Sequence, residues 1–374
     1  MKQRVWSMIG LAGVVGVAVP IAKHGEVDEL GMRLGAVTWH SAGAMTFGPD
    51  GTLFVADSRG GKLFALRIED SRVPADTGRF QVNELDTKVA AVLGTTPREL
   101  RFNDMAVNQA TGNIFLTVSR GLGDGASPAL VKVNARGEAS LVDVDRIRFS
   151  ETDLPASPSR DERTPWGQPK WMLSITDLNF VDGELWVAGL SNEQFASALR
   201  RVPFPFNSKG ALTTVEIFHT SHNKWETAAP IEAFLPITIG GQSLIVAGYG
   251  CAPLATFSQA DIRSQHHLRG RTVAEMGGGS RPTDIISYVN NGKTTVLVAN
   301  SHRTLMRFDA SDIAGAPALT TPVAEAYQMA GVTYQPISSA GVMQIDDFGS
   351  AVLVLQRNIE SGAVEMTTYS KRWL

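Results

Sequence analysis

The chain has 374 residues, enough for two ordinary domains or one large all-β domain, and its 43% apolar content supplies a full core. With 34 Lys and Arg against 37 Asp and Glu, the net charge is −3, and no basic stripe alternates with aromatics, which argues against nucleic acid as a partner. The single cysteine, Cys251, excludes an intrachain disulfide and any CxxC zinc motif, so the 36 glycines describe a turn-rich chain held by its core.

Lys2 and Arg4 open the chain, and an apolar run from Met8 to Ala22 follows. A run of about 15 residues fits the h-region of a signal peptide and is short for a membrane span. Residues 1–22 are therefore expected to be a signal peptide or an N-terminal anchor, with Ala18 and Ala22 as cleavage candidates. The expected location is periplasmic or secreted, with no membrane span beyond that anchor.

From residue 33 to residue 374 one module recurs, and these residues are expected to form a single domain. Its second strand reads TLFVAD (52–57), NIFLTVS (113–119), ELWVAGL (184–190), SLIVAGY (243–249), TTVLVANS (294–301) and SAVLVLQR (350–357). A turn glycine precedes each: Gly51, Gly112, Gly183, Gly241, Gly292 and Gly349. "PDG", "VDG" and "NNG" are hairpin signals, because such turns need positive φ. Third strands follow as KLFALRI, ALVKVN, ALRRVP, PLATFS, TLMRFD and VEMTTYS. Weaker fourth strands are read in ASLVDV, VEIFHT and AEAYQM. Helical periodicity is nearly absent. Four antiparallel strands per unit, radially repeated, predict an all-β fold, a six-bladed β-propeller, with seven blades as the alternative count. The last module lacks a fourth strand. An N-terminal strand in GAVTWH (35–40) is expected to supply it and so remove a free edge.

In such a blade the start of the inner strand and the loop after the second strand lie at one end. Aligning the modules puts Asp104, Asp177, Glu232 and Asp284 at the same place in four inner strands, with Ala44 and Met343 in the other two. Carboxylates converging on one axis repel, and a hard cation with oxygen ligands relieves the repulsion, so these four are candidate Ca²⁺ ligands. The plainer reading has them solvated or bonded to turn backbones. The loops bring Asp57 and Asn300, as substrate contacts, and His302, a candidate general base, to the same end; Asp284 is the second catalytic candidate. A long segment, 148–171, rich in Pro, Ser and charge, is expected on this face as a lid or partner-binding loop. His219 and His222 form a His-x-x-His spacing off a helix, which is a weak metal signal.

The stretches RFND (101–104) with QATGNIFLTVSRG, and GPDGTLFVADSRGGKLFAL in the first module, carry a resemblance. They resemble the six-bladed propellers of the SMP-30/gluconolactonase and strictosidine synthase-like group, with NHL-type propellers close in pattern. The resemblance implies that Arg101 and Asn103 contact substrate. It also implies a metal-dependent lactonase or esterase of a small-molecule lactone or ester at the channel mouth, with Ca²⁺ as cofactor. The family's metal positions are not reproduced in place: the first module reads SAGAM without an acid, the third has Thr176 and Asp177 where Asn and Gly stand, and RPTD carries Asp284 one residue late. The competing expectation is a non-catalytic exported propeller that binds a small ligand or a protein partner on its mouth face.

Overall fold

The computed structural model describes residues 27–71, 80–251, 253–325 and 327–374; the predicted signal or anchor segment, 1–22, lies outside them. Six antiparallel sheets, each built on four strands, form a six-bladed β-propeller. In every blade the second strand is a nearly continuous buried run, as in Thr52–Asp57 and residues 185–190, because each blade is covered on both faces by neighbours. The inner strands alternate between core and channel. The hairpins between them use the predicted glycines: Asp182 and Gly183 (φ 49° and 81°), like Asn291 and Gly292 (φ 51° and 76°), put both central residues in the left-handed region, the type I′ geometry that matches strand twist. Among the described residues no helix is long and apolar enough to cross a membrane.

The blades do not follow one another in chain order. Blade 1 is Met45–Phe47, Thr52–Asp57 and Lys62–Arg67, and its outer strand is Ile147–Asp153. Blade 2 is Leu100–Val107, Ile114–Arg120, Ser127–Val133 and Ala139–Leu141. Blade 2 sits between blade 1 and blade 6: Leu116 and Val131 share one core with Leu353 and Met366 of blade 6, while Phe115 and Leu130 share another with Leu53 and Phe64 of blade 1. Blade 1 packs its other face on blade 3 (Asp177–Val181, Glu184–Leu190, Ser197–Pro203, Ala211–His219), where Phe54 stacks on Phe180 with ring centroids 5.2 Å apart. The remaining blades follow in sequence: blade 4 from Ile231, blade 5 from Pro282 and blade 6 from Val342. Around the axis the order is 1, 3, 4, 5, 6, 2.

This order changes how the ring closes. The outer strand of blade 6 does come from the N-terminal part of the chain, but it is Gln81–Val82, paired with Met366 and Thr367, and not 35–40. Arg33–Gly35 instead lines the edge of blade 1, with Arg33 opposite Phe149 and Gly35 opposite Ile147. Residues 148–153, expected as the start of a loop, belong instead to the strand Ile147–Asp153; the longer connection begins at Leu154. ASLVDV and VEIFHT do hold fourth strands, but AEAYQM lies in a connection, and Arg271–Glu275 and Gln335–Ile337 complete blades 4 and 5. The helix Leu85–Leu93 was not apparent from periodicity. It buries Leu85, Val89, Ala90 and Leu93 in the core shared by blades 2 and 6, between the outer strand of blade 6 at Gln81–Val82 and the inner strand of blade 2 at Leu100–Val107.

Arg200 anchors the connection that leads into blade 3. Its side chain is fully buried and donates to the carbonyls of Pro155 (2.6 Å), Leu190 (2.8 Å), Ser174 (3.2 Å) and Ala156 (3.4 Å). Burial lowers its pKa to about 9. Arg200→Met preserves much of the apolar stem but leaves these buried carbonyls without their donor. We expect a loss of about 2–4 kcal/mol, read as a lower urea midpoint at constant m-value, with faster proteolysis within 154–171.

Candidate functional site

A channel of about 210 Å³ runs between the inner strands. Four aspartates line it: Asp104, Asp177, Asp284 and Asp346. Each uses Oδ1 to accept the next amide of its own strand, from Met105 (2.8 Å), Leu178 (2.7 Å), Ile285 (2.7 Å) and Asp347 (2.6 Å) respectively. Each uses Oδ2 to accept an amide of the adjoining blade, from Met45 (2.6 Å), Phe234 (2.7 Å), Ile345 (2.9 Å) and Val107 (2.7 Å). The carboxylates thus sew blade 2 to 1, 3 to 4, 5 to 6 and 6 to 2. The Gln344 amide nitrogen, in the orientation that satisfies both ends of the amide, reaches Asp284 Oδ2 (2.8 Å) and Asp104 Oδ1 (3.2 Å).

Burial raises all four pKa values. Mutual repulsion adds to this for Asp104, through Asp177 and Asp346, for Asp177 through Asp284, and for Asp284 through Asp104 and Asp346. Asp346 is pushed up to about 7. All four keep partial exposure to the channel, so solvent there tempers the rise.

The predicted calcium set of Asp104, Asp177, Glu232 and Asp284 is not assembled. Glu232 faces a different cavity, and each oxygen of the three aspartates already accepts an amide. The cause is a register effect. In blade 4 Ile231 pairs with Tyr249 and Ala233 with Gly248, so Glu232 is an extra, bulged residue. The bulged residues of blades 2, 5 and 6 are Asn103, Thr283 and Met343, which makes Ala233 and not Glu232 the equivalent of Asp104 and Asp284. Asp346, absent from the predicted set, lies two residues past Gln344 on the same side of its strand, a spacing visible in VMQIDDF.

The other predicted residues are dispersed. Asn103 donates to Ala42 O (2.8 Å) and Ser119 Oγ (2.9 Å), bracing blade 2 against blade 1. Arg101 is exposed on the edge of its strand. Asp57 is fully buried and accepts from the amides of His40, Ser41 and Gly60, so it shapes a turn. Asn300 is buried and accepts from Ser280 Oγ at 2.6 Å. His302 is exposed and bonds to its neighbour Ser301, with 2.8 Å between Nδ1 and Oγ.

A second cavity, about 390 Å³, opens on the mouth face over blades 3, 4 and 5. The long connection supplies Pro165, Trp166 and Leu173; the short hairpin after blade 3 supplies His219, His222, Lys224 and Glu226; blade 4 supplies Glu232 and Cys251; Arg281 comes from the entry to blade 5. Glu232 has a largely buried side chain, and desolvation lifts its pKa to about 7 against the opposing charge of Arg281, 3.8 Å away. Burial acts to raise Glu226 too, but hydrogen bonds from His219, Lys224 and His222 outweigh it and hold that carboxyl well below the usual range. The cavity therefore offers an uncommitted carboxyl that titrates near neutrality, a neighbouring guanidinium and a partly apolar wall.

Fold and cavity together define a six-bladed β-propeller with a mouth cavity that sets a few charged groups in a mainly apolar wall. Among solved structures the chain is similar to an oxidoreductase from a Thermus species described as a glucose dehydrogenase, at 13% identity and TM-score 0.35, over 90% of this chain and 99% of that one. It is also similar to a GH43 endo-arabinanase from Bacillus licheniformis, at 11% identity and TM-score 0.36, over 69% and 89%. A third similarity is to a structure described as a gluconolactonase, at 8% identity and TM-score 0.29, over 91% and 92%. At these identities and scores the activities of those proteins are not carried over to this site. No protein-family model matches the chain, and no curated protein matches it.

The channel aspartates make stability depend on pH. Their folded pKa values lie above the ordinary value of 3.8, so these four groups hold more protons in the folded chain than in the unfolded one from about pH 4 up to their folded values, about 7 for Asp346. Stability is then greatest at the acid end of this window and falls as pH rises through the folded values. A urea midpoint that drops from pH 5 to pH 8, with a shallower drop in Asp346→Asn, is the expected result; a midpoint that rises over this range contradicts it.

Proposed function

We propose that the protein is a hydrolase of a small lactone or related ester, acting in the mouth cavity rather than in the channel, and that it works outside the cytoplasm. The observation that supports this is Glu232: a largely buried carboxyl with a pKa near 7, facing a cavity of ligand size beside Arg281. Ionised, Glu232 takes a proton from water as the water oxygen bonds to the substrate carbonyl carbon. Arg281 offsets the charge that develops on the carbonyl oxygen. As the bond from that carbon to the ring or ester oxygen breaks, Glu232 returns the proton to the departing oxygen, and a lactone leaves as its hydroxy acid. Trp166, Pro165 and Leu173 give the substrate an apolar wall to pack on. No step is routed through calcium, because the expected ligand set is not assembled.

The reading predicts that kcat/KM for lactone hydrolysis rises through about pH 7, as Glu232 ionises, and levels above it. Glu232→Gln should lower kcat about 10²–10⁴-fold and abolish that rise while leaving the thermal midpoint nearly unchanged. Absence of turnover across a panel of lactones and aryl esters, or an unaltered profile in Glu232→Gln, overturns it. Saturable binding without turnover would instead favour the ligand-binding propeller.

A further inference from the structure

Among the described residues, one group of three His, Cys, Asp or Glu side chains brings its ligand atoms within 4.8 Å of one another: His219, His222 and Glu226. His219 ends the outer strand of blade 3. The turn that follows carries His222 back over it, with ring centroids 3.9 Å apart, and the short strand Lys224–Glu226 returns antiparallel so that Glu226 lies opposite Ile217. His219 Nδ1 is 2.5 Å from Glu226 Oε2, and His222 Nδ1 is 3.0 Å from the same oxygen. Three donors therefore converge, two imidazole nitrogens and one carboxylate oxygen.

We propose that His219, His222 and Glu226 bind a divalent transition ion of the zinc type through the two Nδ1 atoms and the carboxylate. Two histidines and one carboxylate with a remaining open position is an established donor set for such an ion, whereas calcium takes oxygen ligands. The leftover hydrogen-bonding groups support the assignment independently. His219 is 2% exposed, and its Nε2 is buried without a partner; Glu275 is 1% exposed, and its Oε1 is likewise buried without one. If Nδ1 of neutral His219 carries the proton toward Glu226, then Nε2 is a buried acceptor with no donor. An ion on Nδ1 reverses the tautomer: Nε2 becomes the N–H donor that metal-bound imidazoles direct to a carboxylate or carbonyl. Glu275 is the carboxylate proposed to turn to it: it lies within electrostatic reach of both histidines, and its Oε2 accepts from the hydroxyl of the adjoining Thr220 at 2.6 Å, while Oε1 and His219 Nε2 do not bond to each other here. The competing cation, Lys224 Nζ at 2.8 Å from Glu226 Oε1, is 62% exposed and free to turn toward solvent. The proposal stands apart from the hydrolase reading, since it concerns ion binding without substrate.

The test uses the untagged chain, stripped with chelator and titrated separately with Zn²⁺ and Ca²⁺ by calorimetry, with bound metal counted by elemental analysis after dialysis. One equivalent of Zn²⁺ and no Ca²⁺ is expected. His222→Ala alters a side chain that is 42% exposed and should keep the fold, yet lose Zn²⁺ affinity at least 100-fold. Glu275→Gln should weaken it about 10- to 100-fold. Cobalt substitution should give tetrahedral visible bands in the parent chain and none in His222→Ala. No stoichiometric Zn²⁺, or unchanged binding and spectra in a folded His222→Ala, overturns the proposal. Either result can occur with or without lactone hydrolysis, so the two readings fail separately.

Discussion

A blade of this protein has two apolar faces and cannot cover either alone. Its second strand is buried from both sides, and six separate cores, one at each blade boundary, supply the cover. Ring closure follows from this requirement, since an open end would leave one such face to water. Closure in turn drives the first turns of the inner strands against the axis, where amides need acceptors away from bulk solvent. Four aspartates provide these, each joining its own strand to an adjoining blade. The resulting crowd of carboxyls is tolerated because amides satisfy them and because burial and mutual repulsion raise their pKa values above the ordinary one.

The same arrangement separates structure from chemistry. The channel acids are committed on both oxygens, so they hold the ring together and are poor candidates for reactive groups. The mouth cavity lies beside blade 4, where Ala233 takes the place that Asp104 and Asp284 hold in blades 2 and 5. A bulge at Glu232 turns its carboxyl away from the axis, the hairpin after blade 3 stacks two histidines on Glu226, and the long connection anchored by Arg200 extends past the rim. Glu232 and Glu226 line one cavity and titrate in opposite directions, because desolvation outweighs the single guanidinium beside Glu232, whereas three hydrogen-bonding partners outweigh it at Glu226.

Much of the blade architecture was readable from local pattern. The six buried strands, their turn glycines and most third strands lie where the repeated motif puts them, because a two-sided apolar run and a left-handed turn are local demands. The outer strands were less readable: Gln81–Val82 and Ile147–Asp153 are short or partly polar, and one face of each is less demanding. The candidate site was the least readable. Aligning modules by residue type matched Glu232 with three aspartates, whereas strand pairing shows an extra residue there, and a shift of one residue reverses a side chain on a strand. Asp346 was missed for a related reason, being two residues further along. His219 and His222 were visible as a spacing, but Glu226 and Glu275 complete that cluster only through the hairpin and the adjoining blade.

The sequence by itself determined the unit, its repetition and therefore the class of fold, since alternation, apolar runs and turn residues act over a few neighbours. Only the tertiary structure decided the order of blades around the axis, with blade 2 between blades 6 and 1. That order depends on which apolar faces fit together and on where two outer strands find an open edge, and both are set across the whole chain. It also decided which carboxyls would brace the ring and which would be left to react, because a carboxyl's role depends on the amides and charges that surround it in space.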